Sequence, residues 1–131
     1  MKYARELIYG AIGYITGVAI LRTLPRATMP TGFDGRAAAF ALGSMIVFGA
    51  LAWWVARRRP HGERLASGAA MALPVLLGDA LETAAFGLVY PNFDPASSGV
   101  FASILLFTNL AIVGGGWLAE RSGGRVEVVR A

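Results

Sequence analysis

The 131-residue chain has no cysteine and a single histidine, His61. Without cysteine there can be no disulfide, thiolate nucleophile, iron–sulfur cluster or cysteine zinc site. One histidine, set in a basic loop, leaves no histidine metal cluster and no Ser-His-Asp triad at membrane depth. No metal and no cofactor is implied. Charge is scarce too. Asp, Glu, Lys and Arg make up 15% of the chain, where a soluble domain usually carries about 25%. The charges are also bunched, at Met1–Glu6, Arg22–Arg36, Arg57–Arg64 and Glu120–Arg130. Only Asp79, Glu82 and Asp94 lie outside those clusters. A net charge of +4 would suit nucleic acid. Here the basic residues flank apolar runs, where topology already accounts for them, and no nucleic-acid partner is expected.

What the chain has in abundance is apolar sequence, 56% of its residues. A helix rises about 1.5 Å per residue, so about 20 apolar residues cross a bilayer core. Four runs qualify, at about residues 7–24, 37–56, 65–90 and 98–119. The connections Thr23–Arg36, Arg57–Arg64 and Pro91–Ser98 are too short for a separate domain. The fold class expected is all-α: one integral membrane four-helix bundle spanning residues 1–131, with the lipid bilayer as its partner. Lys2, Arg5, Arg57, Arg58, Arg59, Arg64, Arg121, Arg125 and Arg130 fall on one face. Arg22, Arg26 and Arg36 fall on the other. The excess of positive charge places both termini in the cytoplasm of a multi-pass protein of a bacterial inner (cytoplasmic) membrane. Trp53, Trp54 and Trp117 then lie at the cytoplasmic interface and Tyr90 at the outer one, as an aromatic belt. Arg22 directly follows the first apolar run and no small-x-small site appears, so that run reads as a retained span.

Pro30-Thr31-Gly32-Phe33-Asp34 and Pro91-Asn92-Phe93-Asp94 are alike. Each leads into an even-numbered span, followed by Phe40 and Phe101. A parallel duplication of two hairpins would explain this. So would two interfacial loops in which Asp34 and Asp94 cap the next helix.

The third run carries the most telling residues, Asp79 and Glu82. An aspartate at a helix centre in the bilayer costs about 2.5–3.5 kcal/mol. It needs a partner, a proton or water. On a helical wheel Gly68, Ala72, Val75, Asp79, Glu82, Thr83, Phe86 and Tyr90 share one side, while Leu77, Leu81 and Leu88 lie opposite. The polar side should face the bundle. Pro74, about one turn earlier, frees a backbone carbonyl and can kink the helix. In the hairpin of spans three and four, Asp79 and Asn109 stand equally far from the tip. Asn109, beside Thr108, is therefore expected to donate to Asp79. The stripe Ser98, Ala102, Leu105, Asn109, Ile112 and Gly116 should face span three. Arg22 is a possible counter-charge for Glu82, or it snorkels to headgroups. Glu6 should pair with Lys2 and Arg5 and help cap span one. Gly13-x-x-x-Gly17 is a close-packing motif within the bundle or between copies. Gly114-Gly115-Gly116 is either a packing surface or a flexible gate.

Gly78-Asp79-Ala80-Leu81, Val89-Tyr90-Pro91-Asn92-Phe93 and the stretch Phe101 to Asn109 resemble a group of small bacterial four-helix integral membrane proteins of unknown function. The resemblance implies the same topology and no activity. The functional expectation is a proton relay or binding site at Asp79, Glu82, Thr83, Thr108 and Asn109. It would serve proton- or cation-coupled transport of a small solute, as a homodimer. The alternative is a non-catalytic accessory or assembly subunit of a larger membrane complex. No nucleophile–base pair or phosphate cradle argues for an enzyme.

Overall fold

The computed structural model describes residues 2–127, with side chains through Gly123. Arg130 lies outside that range, as does the Arg125 side chain. The helices are α1 (Ala4–Thr23), α2 (Gly35–Ala56), α3 (Arg64–Ala84), the short α4 (Phe86–Val89) and α5 (Ser98–Glu127). Four of them are long and apolar enough to cross a membrane. The chain is an all-α, multi-pass membrane protein.

The third span is not one continuous helix. The expected run to Tyr90 breaks at Ala85, where φ −116° and ψ 28° interrupt the spiral. α4 restarts it with Tyr90 N–H bonded to Phe86 O at 2.8 Å. Beyond the break Phe86 and Tyr90 stay on the buried side, where they meet Phe93 and Phe101 with ring centroids 4.9–5.6 Å apart. Tyr90 is only 1% exposed. It is therefore a core residue and not part of an interfacial belt.

α5 is the central helix. One side packs on α2 and the other on α3, while α1 rests on α3. α1 and α3 run parallel, as do α2 and α5, so the two hairpins lie side by side. Close contacts depend on glycine at specific places. Gly68 and Gly116 meet face to face, and a Cβ on Gly68 would fall 2.9 Å from the Gly116 Cα. Gly115 sits against Gly49 O and the Trp53 backbone of α2. Gly10 approaches Met71 O and the Pro74 ring. Gly13 and Gly17 play no such part: Gly13 has only the Phe48 ring nearby and Gly17 faces open space. The close crossing of α1 is thus made one turn earlier than the Gly-x-x-x-Gly motif implied. Within the glycine triplet, Gly115 and Gly116 form the packing surface and Gly114 faces open space.

One end of the bundle is basic, and it is tied by ion pairs. Glu6, fully buried, receives Arg59 Nε and a terminal guanidinium nitrogen, both at 2.7 Å. Arg5 reaches it at 3.3 Å and Ser67 at 3.4 Å. The main partner of Glu6 is therefore Arg59 of the α2–α3 loop, across the helix interface, while Lys2 bonds Glu63 at 3.0 Å. No side-chain capping bond holds the α1 N-terminus. Glu120 accepts from the backbone N–H groups of Gly62 and Arg64 at 2.6 and 2.9 Å. Arg57, Arg58 and Arg121 lie over Trp53, Trp54 and Trp117, 3.5–4.6 Å from the ring centroids. That is an aromatic belt with its cations attached.

At the far end, Asp34 caps α2 by accepting from the N–H groups of Arg36 and Ala37 at 2.9 and 3.0 Å. Asp94 accepts from Ala96 N–H at 3.0 Å and caps a 3-10 turn leading into α5. The two loops share this capping device but differ in their phenylalanines, since Phe33 is exposed and Phe93 buried. Asn92 joins them by donating to Leu21 O and Leu24 O at the end of α1.

Candidate functional site

The wheel stripe of α3 is buried as its pattern requires. Gly68, Ala72, Val75, Asp79, Glu82, Phe86 and Tyr90 all face protein, and Thr83 is the exception. Opposite them, Leu77, Leu81 and Leu88 are exposed, Leu81 by 72%. Asn109 Nδ2 donates to Asp79 Oδ2 at 2.5 Å. The same amide donates to Leu105 O at 3.0 Å, one turn back on α5. The depth argument from the hairpin tip thus brings these two residues together.

The other candidate residues separate into different environments. Glu82 does not turn toward Asn109. It accepts from Tyr90 Oη at 2.6 Å and faces α1, where Tyr14 lies close to it. Glu82 Oε1 is buried with no donor among the described residues. Gly78 makes room for this arrangement, because any Cβ there would strike the Tyr14 ring. Thr108 faces α2, 2.8 Å from Ser44 Oγ. The Thr83 hydroxyl donates to its own helix at Asp79 O, 2.8 Å away. Arg22 is exposed on α1 and forms no ion pair with Glu82 among the described residues. The phenol of Tyr90 takes the place expected for a guanidinium. The wheel placed Tyr90 on the correct side, but its position at the outer end of the third run assigned it to the aromatic belt. Tyr14 had a visible signal, one turn past Gly10 on the face that meets α3.

Asp79 and Asn109 border a groove of about 490 Å³ between α3 and α5. Its walls include Leu76, Ala80, Thr83, Ala84, Ala102, Leu105 and Leu106. Leu76 and Leu106 are 45% and 57% exposed, so the groove opens on the outside of the bundle. Asp79 is 8% exposed at its floor. Neither Asp79 nor Glu82 has a cationic partner among the described side chains. The arrangement can hold a proton or cation at Asp79, while Glu82 is held in a neighbouring hydrogen-bonded cluster with Tyr90.

Residues 36–122 match DUF5367, a family of unknown function. The chain belongs to that family. The matched stretch is more than half of the chain and includes Asp79, Glu82, Tyr90 and Asn109. In this DUF5367 member α1, with Tyr14 and the buried Glu6, precedes it. No curated protein and no solved structure matches the chain.

Proposed function

We propose that this protein is a small proton- or cation-coupled transporter of the bacterial cytoplasmic membrane, with Asp79 as its coupling acid. The orientation follows from the basic end, which holds Lys2, Arg5, Arg57, Arg58, Arg59, Arg64 and Arg121 and lies in the cytoplasm by the positive-inside rule. One observation carries the functional reading. Asp79 sits at membrane depth beside a groove, with a carboxamide as its side-chain partner and no cation. A carboxylate kept only for helix register would be more cheaply replaced by serine or asparagine, so an ionisable group here is best understood as one that changes its load. Two copies meeting over the groove would enclose a pathway between them.

The test is proton movement into proteoliposomes holding a trapped pH dye, on addition of amines, sugars or amino acids. The native protein moves protons with at least one solute class. The Asp79→Asn variant, folded and inserted, moves none. Flux unchanged in that variant, or no protein-dependent flux with any solute, rules the reading out.

The accessory-subunit reading has one observation in its favour. The groove opens outward, so a partner helix bearing a cation could meet Asp79 there. Purification in gentle detergent would then yield a stoichiometric second polypeptide.

A further inference from the structure

We propose that the α3–α5 groove binds an amphipathic organic ammonium ion, with the charge on Asp79 and the apolar body along the groove walls. This rests on the reading of Asp79 as the coupling acid and names the class of solute. Asn109 Nδ2 has two protons, and both are committed, to Asp79 Oδ2 and Leu105 O. The amide cannot be turned over without setting its oxygen against the Leu105 carbonyl, which only accepts. The Thr83 hydroxyl proton is committed to Asp79 O. No lysine, arginine or histidine forms an ion pair with Asp79 among the described side chains.

What remains at the floor of the groove is acceptor capacity alone. Asp79 Oδ1 takes no side-chain bond among the described residues, while Asn109 Oδ1 is buried away from the groove. An anionic solute would bring oxygens to oxygens, and a hydroxylated one would supply a donor but no charge. A cation carrying N–H groups supplies both the missing charge and the missing donors.

The walls define the rest of the molecule. Leu76, Ala80, Ala84, Ala102, Leu105 and Leu106 offer alkyl surface, so the body must be alkyl or aryl. The volume, about 490 Å³, lies in the usual range for a small-molecule site. Because the groove opens sideways, the ligand is one that partitions into the bilayer and enters from there. Loading is then an exchange at one oxygen pair: the cation forms its ion pair as the carboxyl proton leaves to water, and charge is conserved.

The experiment is equilibrium binding of labelled hexylammonium to the protein in phosphatidylcholine nanodiscs. Hexanol and hexanoate serve as neutral and anionic controls with the same body. Saturable binding of hexylammonium alone is expected, weakened about tenfold or more by Asp79→Asn. Ala102→Leu, which fills the groove without touching the carboxylate, should weaken it as well and serves if the first variant fails to fold. Three results overturn the proposal: non-saturable partition, equal binding of hexanol, or binding unaffected by both variants. A polypeptide that crosslinks into the groove from Ala80 overturns it in favour of a partner helix. Proton flux with another solute and no hexylammonium binding sinks this inference and leaves the transport reading intact. Saturable binding with no proton movement does the reverse.

Discussion

Tyr90 Oη donates to Glu82 Oε2 at 2.6 Å across the break in the helix that separates them. The bond gives the interruption at Ala85 a physical purpose, since an unbroken helix would carry Tyr90 past the carboxylate. Removing the hydroxyl in Tyr90→Phe leaves a buried acceptor without its donor. A loss of about 1–3 kcal/mol in unfolding free energy is expected, read in mixed micelles titrated with denaturing detergent. Glu82→Gln should behave differently. Its carbonyl still accepts from Tyr90, and the change removes a buried carboxylate that has no cationic partner among the described side chains. Stability equal to or above that of the native protein is expected. A large loss in Glu82→Gln would show that the carboxylate itself holds the cluster.

The buried pair at the basic end makes a second prediction. Glu6 is 0% exposed and is gripped by both arms of Arg59. Beside Glu6 the Arg59 guanidinium is held above its usual pKa, chiefly by that hydrogen-bonded contact. It stays charged at any pH of interest. Arg59→Ala leaves the buried Glu6 carboxylate with only the longer contacts of Arg5 and Ser67 and should lower stability clearly. Arg59→Lys loses the two-pronged geometry and should fall between the two. Arg57→Ala, whose guanidinium only overlies Trp53, should change little. Equal effects at positions 57 and 59 in the same unfolding assay would refute the assignment.

Four spans, one polar side of α3 and the level of Asn109 could all be worked out from periodicity and loop lengths, because each depends on local geometry. The contacts that cross between non-adjacent segments could not. Nothing near Glu6 in sequence points to Arg59, which is as basic as its neighbours and differs only in where the loop delivers it. Thr108 and Asn109 are adjacent in sequence, yet about 100° apart on a helix. One serves the α2 contact and the other the α3 contact. Tyr90, at the end of the third run, reads as an interfacial aromatic although the wheel sets it on the buried side, because its ring partners Phe93 and Phe101 come from beyond that run.

A third prediction concerns acid. Asp34 lies outside the spans, and its carboxyl is held below the usual carboxylate range, first by the Ala37 N–H and then by Arg36. A lowered native pKa means stabilisation that is fully present above the unfolded value and lost as pH falls through the native one. The gap in Tm between the native protein and Asp34→Ala should therefore hold steady at neutral pH. It should narrow only as pH drops below about 4, the ordinary aspartate range. A gap that is unchanged in acid would mean that the cap does not depend on charge.

The glycines provide the strictest comparison, because identical chemical changes should have opposite outcomes. Gly115→Ala would push a methyl group into the α2 backbone at Gly49 and Trp53, where nothing flexible can yield. Gly78→Ala would displace the Tyr14 ring. Both should destabilise by about 1–3 kcal/mol or more, as overpacking does. Gly114 and Gly17 sit in equally regular helix with nothing within 4 Å. Alanine there removes the backbone freedom of glycine without a clash. It should leave stability unchanged or raise it by up to about 1 kcal/mol. Adjacent residues 114 and 115 thus separate the effect of helix propensity from that of the α2–α5 contact. If alanine at 114 were as damaging as at 115, the triplet would be a flexible joint, and the packing assigned to it here would be wrong.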